Sequence, residues 1–311
     1  MDRAPEAGES PAMKPRFSAD RRTLIWAYLL FPVATLMPCG DPRLLVWLLP
    51  VQLYVGFCAG TFAHNHNHCP VFPNRAMNAL HAAWISVFYG HPTFVWIPTH
   101  NLNHHRFLNR PGDATITWRY SKENSWLVAS TYFFVSAYWQ YAVTRTFVQR
   151  TRALVPRLYR QIVLQRSIFL AAHAGLLGLA VVLHGWELGL LVYIATLGAS
   201  AAMGLWGTIF VNFIQHVHCD PWSAHNHSRN FVSKVGNFLV FNNGYHTAHH
   251  EHPGAHWSRL PGLHAKIVSE IDPALCQPSI VGFCLRAYAL GSIFTCYRTR
   301  QIGRPAYATA P

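Results

Sequence analysis

Apolar residues in this chain gather into long uncharged runs, separated by polar stretches rich in histidine. That is the pattern of membrane helices rather than of amphipathic surface elements. Four runs stand out, at residues 23–38, 44–63, 167–183 and 188–213. Crossing a hydrocarbon core of about 30 Å takes about 20 helical residues, so the second and fourth qualify outright and the other two with their flanks. Residues 39–43 and 184–187 separate the members of each pair. Each pair therefore predicts a helical hairpin that returns the chain to its starting side. Three further apolar stretches are interrupted. Residues 76–98 contain His81, Gly90, His91 and Pro92, which predicts a re-entrant or interfacial segment. Residues 126–147 and 279–297 are read as lying along the interface, the second being broken by Arg286.

The basic residues orient this arrangement. Of 25 lysines and arginines, 24 fall in the N-terminal tail, in residues 65–166 or after Phe213; Arg43 alone lies in a hairpin loop. The positive-inside rule makes the crowded side the cytosol. If residues 126–147 crossed, the six arginines from Arg145 to Arg166 would lie outside, which is why that stretch is placed in the interface. The predicted fold is an all-α integral membrane protein, with four transmembrane helices in two hairpins and a cytosolic helical cap. Residues 1–22 form an expected flexible cytosolic tail, 23–275 the membrane domain, and 276–311 a C-terminal interfacial segment and tail, also cytosolic. The net charge of +13 then belongs to the face that meets anionic lipid, and no nucleic-acid partner is needed to account for it.

Composition sharpens the picture. Residues are 51% hydrophobic and only 12% charged, too few charges for an ordinary soluble surface. The seven cysteines form no C-x-x-C, so no disulfide framework is expected. Twenty histidines stand against 12 carboxylates, leaving histidine as the abundant side chain able to carry metal or proton chemistry. They cluster where spans end on the cytosolic side. The clusters are His64-Asn-His66-Asn-His68, His100-Asn-Leu-Asn-His104-His105 and His246-Thr-Ala-His249-His250, with Asn212 and His216 four residues apart at the end of the last span. On helices, residues at i and i+4 share a face, as His64 with His68 and His100 with His104 do, and His246, His249 and His250 stand at i, i+3 and i+4. Such spacing can bring two imidazoles to one ion, and which histidines serve which ion is left open. Setting aside His66, which points about 200° away from His64 on a helix, nine such imidazoles are too many for one tetrahedral ion and suit two ions with open positions. His81, His91, His173, His184 and His264 read as ordinary hydrogen-bonded residues. No H-E-x-x-H and no Glu-x-x-His occurs, which excludes the zinc-protease and carboxylate di-iron arrangements.

With these residues in view, the sequence resembles the membrane fatty acid desaturase superfamily. Its three boxes, H-x(3,4)-H, H-x(2,3)-H-H and [H/Q]-x(2,3)-H-H, correspond to His64/His68, His100/His104/His105 and His246/His249/His250. The order matches, as do the short gap between the first two boxes and the long, span-containing gap before the third. The second box has three residues before its paired histidines where two are common. The resemblance implies two iron ions on the cytosolic face, held by these eight histidines and His216, with Asn212 contributing through water. It implies dioxygen as co-substrate, a fatty acyl or other lipid substrate, and no catalytic side chain beyond the ligands. With no fused cytochrome domain, electrons are expected from a separate ferredoxin, rubredoxin or cytochrome b5 type donor. Two alternatives stand beside desaturation. One is a hydroxylase, ketolase or acetylenase with the same iron site. The other is a non-enzymatic metal-binding or metal-transport membrane protein, which would need polar ligands along its spans.

Overall fold

The structure, a computed structural model, describes residues 14–308; residues 1–13 of the expected tail and 309–311 lie outside the described residues. In chain order the main helices are α1 (Asp20–Gly40), α2 (Leu45–His68), α3 (Arg75–Tyr89), α4 (Ile97–His104, a π-helix), α5 (Trp126–Leu154), α6 (Pro156–Tyr193) and α7 (Ala199–His216). The short α8 (Lys234–Leu239), α9 (His246–Glu251) and α10 (Leu260–Ile267) follow, then α11 (Ile280–Ile293). Strands β1 (Asn230–Phe231) and β2 (Cys276–Gln277) form one parallel pair, which ties the C-terminal segment to the chain before box three. The fold is all-helical apart from that pair. The chain divides into two compact units, residues 14–94 with 156–204, and residues 95–155 with 205–308.

Three helical runs in the described residues are long and apolar enough to cross a membrane: Asp20–Gly40, Pro42–His68 and Pro156–His216. The last has 61 residues, which at about 1.5 Å each would exceed a core of about 30 Å several-fold. It does not run straight. Gly185 leaves helical geometry at φ 78°, ψ 173°, and Gly189 lies so close to Val181 that a Cβ would overlap its backbone. The chain therefore reverses at Gly185, where the sequence predicts the second hairpin tip. His184 Nε2 donates to the Cys39 carbonyl at 2.7 Å, so the reversal near Gly185 meets the end of α1 within the first unit.

Small residues allow these helices to approach closely, as in membrane bundles generally. A Cβ on Gly56 would overlap the Ser200 carbonyl, and one on Gly204 would press on Tyr89 and Gly56. A polar seam crosses the same contact: the Ser200 hydroxyl donates to Gln52 at 3.1 Å, and Thr35 reaches Gln52 at 3.5 Å. Large apolar side chains such as Trp47 and Val182 point outward from this unit. α3 is shorter than a span. It starts at Asn74, whose side chain accepts from Ala76 and Met77 N–H, and stops at Gly90, whose φ of 82° favours glycine.

The second unit is built differently. α5 buries Val128, Ala129, Tyr132 and Ser136 along one stripe. The apolar members of that stripe pack with Phe210, Phe213, Ile214 and Val217 of α7 and with Phe231, Phe283 and Tyr288. Residues 126–147, expected in the interface, lie within α5, which is not among the candidate crossings.

Candidate metal centre

In the second unit the chain holds boxes two and three together with His216. Each is fixed by its own local device. His216 ends α7, where buried Arg229 donates to the Ile214 carbonyl and, at 3.2 Å, to that of Val217. A cation satisfying the last carbonyls of a helix is favourable both as a cap and against the helix dipole. Box three sits on α9, one and a half turns that could not hold themselves together alone. Thr247, between its first histidines, is clamped instead: its N–H donates to Asn230 Oδ1 at 3.0 Å and its hydroxyl accepts from Asn230 Nδ2 at 2.8 Å. The preceding loop is pinned by Asn237, whose side chain donates to Phe231 O and accepts from Gly244 N–H.

Box two lies on α4, and its helix type changes the expected pairing. His105 N–H reaches back to the His100 carbonyl, five residues earlier. This i→i+5 pattern widens the turn. The ring nitrogens of His100 and His105 are 3.1 Å apart, and His105 is also 3.1 Å from His249. His104 turns to another set. The ligand atoms of His104, His216, His246 and His250 all lie within 4.8 Å of one another. His100 and His104, which would share a face on an α-helix, are thus turned toward different histidines by the π-helical turn. In box three the i/i+4 expectation holds, with His246 and His250 Nε2 atoms 3.0 Å apart, while His249 goes with His100 and His105. Box one belongs to the first unit, where the rings of His64 and His68 face each other at 4.8 Å. His64 Nδ1 donates to Asn65 Oδ1 at 3.0 Å, which leaves Nε2 as the lone-pair nitrogen.

The donor set fits a cation. His104 Nδ1 lies 2.8 Å from Asp113 Oδ2, and His216 Nδ1 lies 3.2 Å from the His227 carbonyl. A carboxylate and a carbonyl only accept, so both Nδ1 atoms carry the proton and both Nε2 atoms are bare. Yet these two Nε2 atoms face each other at 3.1 Å, and His216 Nε2 faces that of His246 at 2.9 Å. Lone pairs at that distance repel, and buried protonated rings would be costly. A metal ion among them satisfies all four. Burial holds the neighbouring imidazoles neutral: it lowers His250 well below the ordinary range, aided by nearby His105 and His246, and lowers His227 to about 4.

Asn212 lies one turn before His216, with its amide nitrogen buried and unpartnered, a position suited to water. Three other residues that organise the site escaped the sequence reading. Asp113 and Arg229 are isolated charges in loops, and His227 belongs to none of the three boxes. The only signal for Asp113 was a carboxylate in an acid-poor chain, nine residues after His104 in an Arg-Pro-Gly-Asp turn. Histidines read as ordinary have ordinary partners. Tyr28 donates to His81, His173 meets Tyr193 and the Val87 carbonyl, and His91 meets the Pro92 carbonyl. His66, beside the ligands of box one in sequence, turns to His81 with rings 4.9 Å apart.

The chain is similar to human "Sphingolipid delta(4)-desaturase/C4-monooxygenase DES2", with 26% identity over 292 residues covering 85% of this chain and 78% of the relative. No solved structure gives a significant match. The profile of the family described as fatty acid desaturase matches residues 42–278, a span that contains all three histidine boxes and His216. The chain belongs to the fatty acid desaturase family.

Proposed function

We propose that this chain is an oxygen-dependent desaturase that inserts a double bond into a lipid acyl chain at a histidine-held pair of iron ions. His104, His216, His246 and His250 hold one ion. His100, His105 and His249 hold the other, Asn212 contributes through water, and His64 and His68 are further ligands on the strength of their spacing in box one. The observation that carries the reading is the buried meeting of bare imidazole nitrogens at His104 and His216 in a member of this family. When bound, the iron pair supplies the oxygen activation needed to take hydrogen from an unactivated methylene. In balance, one dioxygen, two electrons and two protons remove two hydrogens from adjacent methylenes and leave two waters. The electrons come from a separate ferredoxin, rubredoxin or cytochrome b5 type protein.

The chain's own residues supply order. Neutral ligands leave the metal site electron-poor, Asp113 and the His227 carbonyl hold two rings in one tautomer, and Arg229 with Asn230 fixes the backbone that carries them. Four spans, formed by α1, α2 and the two arms on either side of Gly185, place both termini and the site on the cytosolic face, in keeping with the distribution of basic residues. A second reading is hydroxylation at the same site, favoured by the relative's printed name, which joins a desaturase and a monooxygenase. Lipid profiles of a host expressing the chain separate the two. A product lacking two hydrogens supports desaturation; one that gains an oxygen atom supports hydroxylation. If the profile is unchanged relative to His104→Ala, the oxidase reading fails.

A further inference from the structure

The two histidines that face each other at the centre, His104 and His216, are held by different acceptors. His216 Nδ1 donates to a neutral backbone carbonyl, whereas His104 Nδ1 donates to the carboxylate of Asp113. We infer that Asp113 is a positioning residue whose negative charge, acting through the His104 ring, sets how tightly the ion shared with His216, His246 and His250 is retained. The inference rests on the metalloenzyme reading above and deepens it.

If the ring needed only to be kept in place, a carbonyl would do, as it does for His216. A buried carboxylate is the costlier choice, because removing an anion from water is unfavourable unless hydrogen bonds replace the solvent. The chain supplies them. The Asp113 side chain is fully buried. Its Oδ2 accepts from the Asn109 N–H at 2.7 Å and from His104, and its Oδ1 accepts from the Thr115 N–H and hydroxyl, both at 2.7 Å. The loop is shaped for the purpose. Leu108 and Asn109 adopt left-handed φ of 48° and 62° to aim the Asn109 N–H at the carboxylate. Asn109 Nδ2 also donates to the His216 carbonyl at 3.3 Å, and the Tyr132 hydroxyl of α5 donates to the Thr115 carbonyl. An anionic partner behind a ligating imidazole fixes its tautomer and makes its other nitrogen a stronger donor to metal.

Asp113→Asn tests this with little change of shape. All four donors point at the carboxylate, and an amide offers an oxygen to only one pair of them. Thr115 or His104 then loses its acceptor, and His104 is free to take the tautomer whose Nε2–H points at the ion. The full chain, purified in detergent and stripped of metal, is titrated anaerobically with ferrous iron and followed by Mössbauer spectroscopy. The parent is expected to bind two ions per chain. Asp113→Asn is expected to keep one and to bind the other about 10- to 100-fold more weakly, with one iron signal lost at limiting iron. Thr115→Val keeps the carboxylate while removing one of its donors and the 3.0 Å contact of the Thr115 hydroxyl with His104 Nδ1, and is expected to retain both ions. Two strong sites in Asp113→Asn would overturn the inference. So would Thr115→Val weakening iron as much as Asp113→Asn, since loop order rather than charge would then be decisive; this arm stands even if Asp113→Asn fails to accumulate. A parent that binds no iron overturns the metalloenzyme reading and this inference together.

Discussion

The two units of the molecule bury polarity in opposite ways. In the first, helices meet through glycine and serine, and the polar seam of Thr35, Gln52 and Ser200 is short. In the second, a charged and amide-rich network of Asp113, Arg229, Asn109, Asn230 and Thr247 is buried almost completely. The first arrangement gains from close contact between backbones and from apolar side chains turned outward. The second spends polar groups to hold side chains at fixed directions, which makes structural sense only if those directions matter to a bound group. The difference predicts that damage to the second unit's buried network shows first in metal binding, and damage to the helix contacts of the first unit, away from His64 and His68, shows in stability alone.

The largest effect expected is that of His216→Ala. It removes the nitrogen at the centre of the second unit's cluster, facing both His104 and His246. Product formation in membranes should fall by well over 100-fold, since even partners of metal ligands cost about 10- to 100-fold when lost. Iron per chain should fall as well. Full iron and full turnover in this variant would remove the metal assignment, and with it the contrast between the units. Gly189→Val ranks next and probes the other side of the comparison. The new side chain would overlap the Val181 backbone at the reversal, an overpacking worth about 1–3 kcal/mol. Thermal unfolding in detergent should drop accordingly, while iron bound per folded chain stays at the parent's level.

These contrasts also explain what was legible in the sequence. The first unit was readable because its physics is one-dimensional: uncharged runs, short polar interruptions and the basic side of each span gave the helices and the reversal at Gly185. The start of α1 at Asp20 rather than Thr23 was less visible, because the Arg16 N–H bond to the Val71 carbonyl and the burial of Asp20 depend on tertiary contact. Histidine spacing gave the candidate ligands but not how box two divides between its neighbours. Spacing presumes an α-helix, and nothing in Ile-Pro-Thr-His-Asn-Leu-Asn-His announces a π-helical turn. Asp113, Arg229 and Asn230 act across loops on residues far away in the chain, so no periodicity marks them.

Thr247→Val sharpens the comparison at intermediate size. It nearly preserves volume but removes the hydroxyl that accepts from Asn230 Nδ2 and bonds Ser228 at 3.0 Å. Leaving Asn230 unsatisfied in a buried site costs about 1–3 kcal/mol. Because Thr247 lies between His246 and His249, weaker iron binding should accompany the lost stability. Both readings are available from one iron titration paired with one melt.

The smallest effect is expected from the matching change in the first unit, Ser200→Ala. Its hydroxyl donates to the backbone and side-chain oxygens of Gln52, so on paper it loses as many bonds as many a costlier variant. Three features make it mild. The substitution deletes one small group and leaves only acceptors short of a donor. Thr35 still reaches Gln52 Oε1. The close helix contact around Gly56 depends on the Ser200 backbone, which alanine keeps. Hydrogen bonds between membrane helices average about 0.6 kcal/mol, so the melting temperature should shift slightly and iron content not at all. A Ser200→Ala loss larger than that of Thr247→Val, measured in the same detergent, would mean that directional polar bonds rather than backbone proximity hold the first unit together, and the contrast between the units would have to be reversed.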